Sequence, residues 1–124
     1  AVPEYEHNLV NLIRDVRKEF GAPRLPVVIG ELTGPWVDAP GTWDTLRKAQ
    51  AAAARRPEFA GTVAFVPTHE FVRKPEDSPN PTHGHHEFGN AETYFLVGDA
   101  LGKAMAKLLT AQPTTGSDQQ GNSR

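Results

Sequence analysis

Hydrophobic positions follow two different patterns along the chain. In residues 5–20 apolar side chains recur at spacings of three and four, which predicts an amphipathic helix that Gly21 and Pro23 end. Two later runs, Leu25–Leu32 and Phe59–Pro67, are apolar and rich in β-branched residues without alternation. Such runs are typical of strands that are covered on both faces, as in a parallel sheet between helices. The predicted buried stripe of the first helix is Tyr5, Leu9, Leu12, Ile13, Val16 and Phe20.

Two further helices complete the predicted order of elements. Thr42 or Asp44 can cap a helix over Trp43–Arg56, in which a run of alanines favours helix formation. Asn90 can cap a third helix, with the acidic side chain of Glu92 favourably placed in its first turn. The predicted buried stripe of this last helix is Tyr94, Val97, Leu101, Ala104 and Leu108.

The order helix, strand, helix, strand, helix predicts an α/β fold with a parallel sheet. Two strands make a poor sheet, and both are predicted to be fully buried, so we expect partner strands that this chain does not supply. Residues 1–111 would then be the C-terminal portion of a larger domain, with at least one strand edge unpaired or borrowed. Residues 112–124 (Gln112–Arg124) contain no hydrophobic residue, which predicts a disordered tail.

Composition and charge exclude several classes of protein. With 13 basic and 15 acidic side chains the formal net charge is -2, so the chain lacks the basic footprint of an electrostatic nucleic-acid binder. No apolar stretch is long enough for a membrane span, and the absence of cysteine excludes disulfides and thiolate metal ligands. Ala1 is neither an initiator Met nor part of a charged-then-apolar leader, so we expect a processing or truncation point there.

Candidate chemistry lies in two loops that follow the predicted strands, Thr33–Gly41 and Thr68–Gly89, because ligands of open α/β sheets bind beyond the carboxyl ends of the strands. The second loop holds all but one of the chain's histidines, and loops of this length are usually functional or disordered. Trp36 and Trp43 flank the first loop, and such aromatic residues more often pack than stack on a sugar. Glu31 ends the first strand, where it is either an acid near the site or, as we favour, hydrogen-bonded to loop amides.

The segment Thr82–Asn90 (THGHHEFGN) allows four interpretations. One of its histidines can be the general base of ester hydrolysis, because imidazole titrates near neutral pH, with Asp77, Glu70 or Glu87 as its orienting carboxylate. The histidines can instead bind zinc, although their spacing matches no standard zinc motif. The helix that Asn90 caps can bind phosphate at its N-terminus. A His-rich polar loop can also be merely solvated.

Several segments, taken in their order along the chain, resemble a known family. They are YEHNLVNLIRDVRKEFGAPRLP (Tyr5–Pro26), LPVVIGELTG, RKAQ (Arg47–Gln50), TVAFVPT and HHEFGNAETYFLVGDALGKAM (His85–Met105). Together they resemble the C-terminal half of a sialate O-acetylesterase-like carbohydrate esterase of the SGNH hydrolase superfamily. The resemblance covers about Tyr5 to Leu109, and the order and spacing of the segments carry it more than any single motif.

The resemblance implies a flavodoxin-like three-layer α/β/α sandwich with a parallel sheet. It also implies hydrolysis of O-acetyl groups on sugars, as in a sialate O-acetylesterase or an acetylxylan esterase, by a secreted-type or periplasmic enzyme with no metal or organic cofactor. In the family a serine near the N-terminus is the nucleophile, and a histidine shortly before the last helix is the general base. That histidine matches His86, three residues before Gly89, with His85 as the neighbouring alternative.

Two parts of the family pattern are absent from this chain. The nucleophile, glycine and asparagine blocks should all precede residue 1, so we expect an inactive fragment whose partner is the missing N-terminal half of the same domain. The usual aspartate before the histidine is also absent, which leaves Asp77 as the nearest upstream aspartate and the candidate orienting carboxylate.

The alternatives to an esterase fragment are a His-rich metal-binding module and a non-catalytic interaction domain descended from an esterase. None of the serines stands in a G-x-S-x-G elbow after a strand: Ser78, Ser117 and Ser123.

Overall fold

Helices and strands alternate along the part of the chain that the structure describes. The structure is a computed structural model, and it describes residues 3–34 and 41–111. The predicted α/β order is confirmed, whereas Trp36 and the predicted tail Gln112–Arg124 lie outside the described residues. The elements are α1 (Tyr5–Glu19), β1 (Val27–Gly30), α2 (Thr42–Ala54), β2 (Val63–Val66) and α3 (Ala91–Ala111). Short 3-10 turns lie at Pro57–Phe59, His69–Phe71, Pro75–Asp77 and Glu87–Gly89.

The two strands form a parallel ladder in which Val27 lies opposite Val63. α2 connects them, so the segment is a βαβ unit, the connection that parallel neighbours require. Each strand has four residues and is shorter than the predicted run. Pro26 and Pro67 flank the ladder and have no N–H to donate to it. Phe59, predicted to begin the second strand, belongs to a 3-10 turn instead.

Helices pack on both faces of this small sheet. Successive side chains of a strand point to opposite faces, and the apolar core forms on the face that packs against α1 and α2. The other face receives α3, where Leu101 lies so close to the backbone that a Cβ on Gly30 would be 3.2 Å from Leu101 Cδ2. The core residues are Val10, Ile13, Ile29, Ala53, Phe59 and Val63, with Leu9, Val27, Ala54 and Phe65 packed against them.

The strands are less buried than the sequence predicts. Most of their residues are half-buried, although their composition is that of a fully covered strand. Within the described residues the sheet consists of β1 and β2 alone, so each strand has one edge without a strand partner. The prediction of an unpaired strand edge is therefore confirmed for this part of the chain.

The buried face of α1 differs from the predicted stripe. Leu12 and Phe20 are 59% and 75% exposed, so placing them in the stripe was wrong. The buried face of α1 contains Arg17 instead. Its guanidinium donates hydrogen bonds to the carbonyl oxygen of Leu25 at 2.9 Å and to Oγ1 of Thr62 at 2.9 Å. The helix is thus rotated so that a charged side chain satisfies backbone and hydroxyl oxygens at the amino ends of the strands.

The beginning of each later helix depends on a different kind of residue. Asn90 caps α3 as predicted, because its Oδ1 accepts the N–H of Glu92 at 3.0 Å. The cap predicted for α2 is wrong. The N-cap is Gly41, whose φ of 116° is accessible to glycine, and neither Thr42 nor Asp44 caps the helix.

One position of the predicted α3 stripe also differs. Tyr94 is 52% exposed, whereas Thr93 is buried and donates its hydroxyl to the carbonyl oxygen of Phe71 at 3.1 Å. The stripe therefore includes a polar residue that holds the loop after β2 against the helix. None of the helices described has the length and apolar character needed to cross a membrane.

Candidate active site

A carboxylate and an imidazole meet where the two strands end. Glu31 directly follows β1, and Thr68 and His69 lie just beyond β2. Oε2 of Glu31 accepts the backbone N–H groups of Thr68 at 3.0 Å and of His69 at 3.2 Å. The same oxygen is hydrogen-bonded to Nδ1 of His69. The prediction that Glu31 is hydrogen-bonded to loop amides is therefore confirmed.

These contacts determine the charge state of Glu31. Its side chain is only 7% exposed, and burial by itself would raise its pKa. The hydrogen bonds from the His69 imidazole and from the two backbone N–H groups outweigh burial, so the pKa of Glu31 lies below its ordinary value. Glu31 is thus held as a buried carboxylate against an imidazole that is itself 38% exposed.

A polar face of α2 fixes the chain that follows β1. Arg47 donates through Nε to the carbonyl oxygen of Leu32 at 2.7 Å and through Nη2 to that of Thr33. Gln50 lies one turn further along the helix, where its Oε1 accepts the N–H of Leu32 at 2.9 Å and its Nε2 donates to Gly30 at 3.2 Å. Both side chains belong to the RKAQ segment, so this segment holds the loop at the carboxyl end of β1.

A second link joins that loop to the histidine-rich segment. The hydroxyl of Thr33 donates a hydrogen bond to Oε1 of Glu87. Oε2 of the same carboxylate is buried and accepts no hydrogen bond from the residues that the structure describes. Glu87, one of the carboxylates that the sequence offers as a partner of a histidine base, is therefore directed at Thr33 in the segment after β1.

The backbone around His86 has an unusual conformation. His86, Glu87 and Phe88 have φ angles of 56°, 51° and 57°, and Gly89 follows at 71°. Consecutive left-handed residues are costly for L-amino acids. Two backbone hydrogen bonds close the turn, from Gly89 N–H to His86 O at 2.8 Å and from Asn90 N–H to Glu87 O at 3.0 Å. Phe88 is buried beneath the turn, and His86 lies exposed at its start.

Among the described residues, none of the predicted orienting carboxylates is hydrogen-bonded to the imidazole of His86. Asp77 is exposed at the end of the 3-10 turn Pro75–Asp77, and its carboxylate forms no hydrogen bond with an imidazole of the described chain. Glu70 and His85 are also exposed. The pairing of His86 with Asp77 therefore stays a prediction.

Sequence reasoning missed the role of His69. His69 belongs to the loop Thr68–Gly89, and the sequence pattern alone assigns no partner to its imidazole. A signal was present, because Glu31 and His69 each follow an apolar strand closely, and parallel strands end at the same edge of a sheet. Applied to both strands together, that rule would have placed the two side chains side by side.

A cleft of about 260 Å³ opens beside the Glu31–His69 pair, between β2 and α2. Its walls carry Arg47, Lys48 and Phe65 in addition to the pair. A larger cavity of about 440 Å³ lies beside Arg14, Arg17 and Phe59, near the amino ends of the strands. Over residues 3–34 and 41–111, no group of three or more His, Asp and Glu side chains is arranged to hold a metal ion.

Comparison with known proteins identifies the family. A family model for carbohydrate esterases, described as sialic acid-specific acetylesterase, matches residues 1–106. Searches of curated proteins and of solved structures gave no significant match. The matched range includes both strand ends, the RKAQ segment and the turn at His86. The chain therefore belongs to the sialic acid-specific acetylesterase family of carbohydrate esterases.

Proposed function

We propose that this chain is the histidine-bearing part of a carbohydrate O-acetylesterase, and that its natural substrate is an acetylated sugar. The family match over residues 1–106 carries the proposal. The fold in this proposal is the flavodoxin-like sandwich of the SGNH hydrolases. The remaining strands and the nucleophilic serine come from polypeptide outside this sequence.

The proposed general base is His86. It takes the proton from the serine hydroxyl as that oxygen attacks the acetyl carbonyl, and gives it to the departing sugar hydroxyl. It then activates the water that releases acetate. Its exposure, and the link from Glu87 to the loop after β1, support this role, because ligands of open α/β sheets bind beyond the strand ends.

The serine in the described chain is engaged in structural contacts. Oγ of Ser78 donates to the carbonyl oxygen of Lys74 at 2.9 Å and accepts Nδ2–H of Asn90 at 3.0 Å. The other serines, Ser117 and Ser123, lie outside the described residues. These contacts agree with a nucleophile that another part of the polypeptide supplies. The edges of β1 and β2 that have no strand partner among the described residues agree with it too.

The orienting carboxylate in this proposal is Asp77. It lies exposed in the same loop as His86, so reaching the imidazole requires this part of the loop to rearrange. In serine hydrolases the loss of the orienting carboxylate lowers kcat by about 10⁴. Asp77→Asn in the complete enzyme is therefore a sensitive test of this part of the assignment.

The experiment compares the chain with the longer polypeptide that includes the upstream sequence. With 4-nitrophenyl acetate, we expect background turnover by the chain alone and clear turnover by the longer polypeptide. His86→Ala should abolish the latter activity, whereas the matched control His85→Ala should retain it. Clear turnover by the chain alone would contradict the proposal that it is part of a larger catalytic domain. Full activity of the longer polypeptide with His86→Ala would contradict the role of His86 as the general base.

A further inference from the structure

The turn that carries His86 is unfavourable by itself. Three successive non-glycine residues, His86, Glu87 and Phe88, are left-handed, a conformation that L-residues rarely adopt one after another. Such a conformation persists only where surrounding contacts over-determine it. Phe88 supplies one of these contacts, because its side chain is almost completely buried.

The side chain of Glu87 supplies a further contact, in addition to the backbone hydrogen bonds of the turn and the one from Asn80 N–H to Phe88 O at 2.9 Å. Its Oε1 accepts the hydroxyl of Thr33, and the backbone of Thr33 is in turn held by Arg47 of α2. The turn is therefore linked to Thr33, whose backbone is already held by α2. A chain of hydrogen bonds leads from α2 to the residue next to His86.

The carboxylate of Glu87 is enclosed beside the turn. Its Oε2 is buried and its Oε1 accepts the Thr33 hydroxyl, so the side chain lies against the segment after β1 and not in solvent. The residue next to His86 is therefore held in place by its own side chain as well as by the backbone.

We propose that Glu87 is a positioning residue for His86. Through its hydrogen bond from Thr33 it maintains the left-handed turn and so fixes the imidazole at the carboxyl edge of the sheet. The functional part of this inference rests on the proposed role of His86 as the general base. The structural part does not, because it concerns the conformation of the turn in the chain itself.

The structural part is tested by NMR on the ¹⁵N-labelled chain of 124 residues. A left-handed residue has a short distance between its own H–N and Hα protons, so His86, Glu87 and Phe88 should show strong intraresidue cross-peaks. We expect Thr33→Val to reduce these to the intensity of ordinary residues, and Thr33→Ser, which keeps the hydroxyl, to preserve them. Thr110→Val is the control, because it removes a hydroxyl that donates within α3.

Contacts between β1 and β2 in the same spectra report whether each variant is folded. Unchanged cross-peaks in a folded Thr33→Val chain would overturn the proposal. Glu87→Ala removes the same hydrogen bond from the other side and should have the same effect on the turn. Loss of the sheet in both variants would also overturn the proposal, because the contact would then serve overall stability instead of the position of His86.

The functional part is tested in the longer polypeptide. Thr33→Val should lower kcat by about tenfold or more and leave KM nearly unchanged, because a displaced base affects the chemical step more than binding. Thr33→Ser should restore kcat. If His86→Ala keeps full activity, the proposed function fails while the NMR result stands, so the two failures are distinguishable.

Discussion

The carboxylate of Glu31 and the imidazole of His69 form a hydrogen-bonded pair that joins the end of β1 to the loop after β2. The same carboxylate accepts two backbone N–H groups of that loop, so one buried side chain satisfies three donors. The parallel ladder brings the two strand ends together, and the pair links the loops that follow them.

Removal of this carboxylate should destabilise the fold. Glu31→Ala leaves the buried N–H of Thr68 without its acceptor and also removes the partner of His69, so we expect the free energy of unfolding to fall by about 3 kcal/mol. Urea denaturation measures the change. Glu70→Ala is the matched control, because Glu70 is exposed and adjacent to His69, and it should alter stability by less than about 0.5 kcal/mol. Equal effects of the two substitutions would contradict the structural importance of Glu31.

The lowered pKa of Glu31 predicts a dependence of stability on pH. Because the pKa in the folded state lies below the ordinary value of 4.5, its contribution is complete above that pH. The contribution is lost as the pH falls through the folded-state pKa. Urea titrations between neutral and acid pH should therefore show a smaller acid loss for Glu31→Gln than for the native chain.

Two exposed carboxylates contribute in the same direction. Hydrogen bonds from Arg14 and Arg73 lower the pKa values of Glu58 and Glu92. At about 1 M salt the Debye length shrinks to about 3 Å, so these exposed pairs are largely screened. Both chains contain these surface pairs, so the difference between Glu31→Gln and the native chain should persist in that salt, and its disappearance would contradict a contribution from buried contacts of Glu31.

Gln50 should protect a specific amide in the loop after β1. Gln50→Ala removes the acceptor of the Leu32 N–H, so this amide should exchange with solvent at least about tenfold faster. Hydrogen exchange followed by NMR measures the rate. Lys48→Ala on the exposed side of α2 is the control and should leave Leu32 protected, whereas unchanged exchange in Gln50→Ala would show that the loop is held by other contacts.

Gly30 should resist larger side chains because of Leu101. A Cβ at position 30 would lie 3.2 Å from Cδ2 of Leu101, the end of a flexible side chain. Gly30→Ala should therefore lower the free energy of unfolding by less than about 1 kcal/mol, and Gly30→Val by about 1–3 kcal/mol. Thermal or urea unfolding distinguishes the two. Combining Gly30→Val with Leu101→Ala should show favourable coupling between the sites, and strict additivity would contradict close packing there.

Local signals predicted much of the fold. The order of the elements follows from hydrophobic patterning and from glycine and proline positions, and Asn90 is a helix cap because its side chain reaches an N–H two residues away. These features depend on neighbours in sequence. Glu31 belongs with them in part, since a carboxylate after a strand usually finds the amides of an adjacent loop.

Tertiary contacts determined what the sequence did not predict. Arg17 is buried because Leu25 and Thr62 present oxygens to it, and no periodicity of α1 carries that information. The pairing of Glu31 with His69 likewise depends on two segments that only the parallel ladder brings together. The left-handed turn at His86 and the link from Glu87 to Thr33 likewise became visible only in the folded chain, and the proposed role of His86 stays a prediction.

Asn90 has a consequence for how this loop can change. Its Oδ1 caps α3 by accepting the N–H of Glu92, and its Nδ2 donates a hydrogen bond to Oγ of Ser78. One amide group therefore holds Ser78 and Asn90, the two ends of the segment 78–90, together. Side chains along the exposed interior of that stretch can therefore be exchanged without moving the helix that follows.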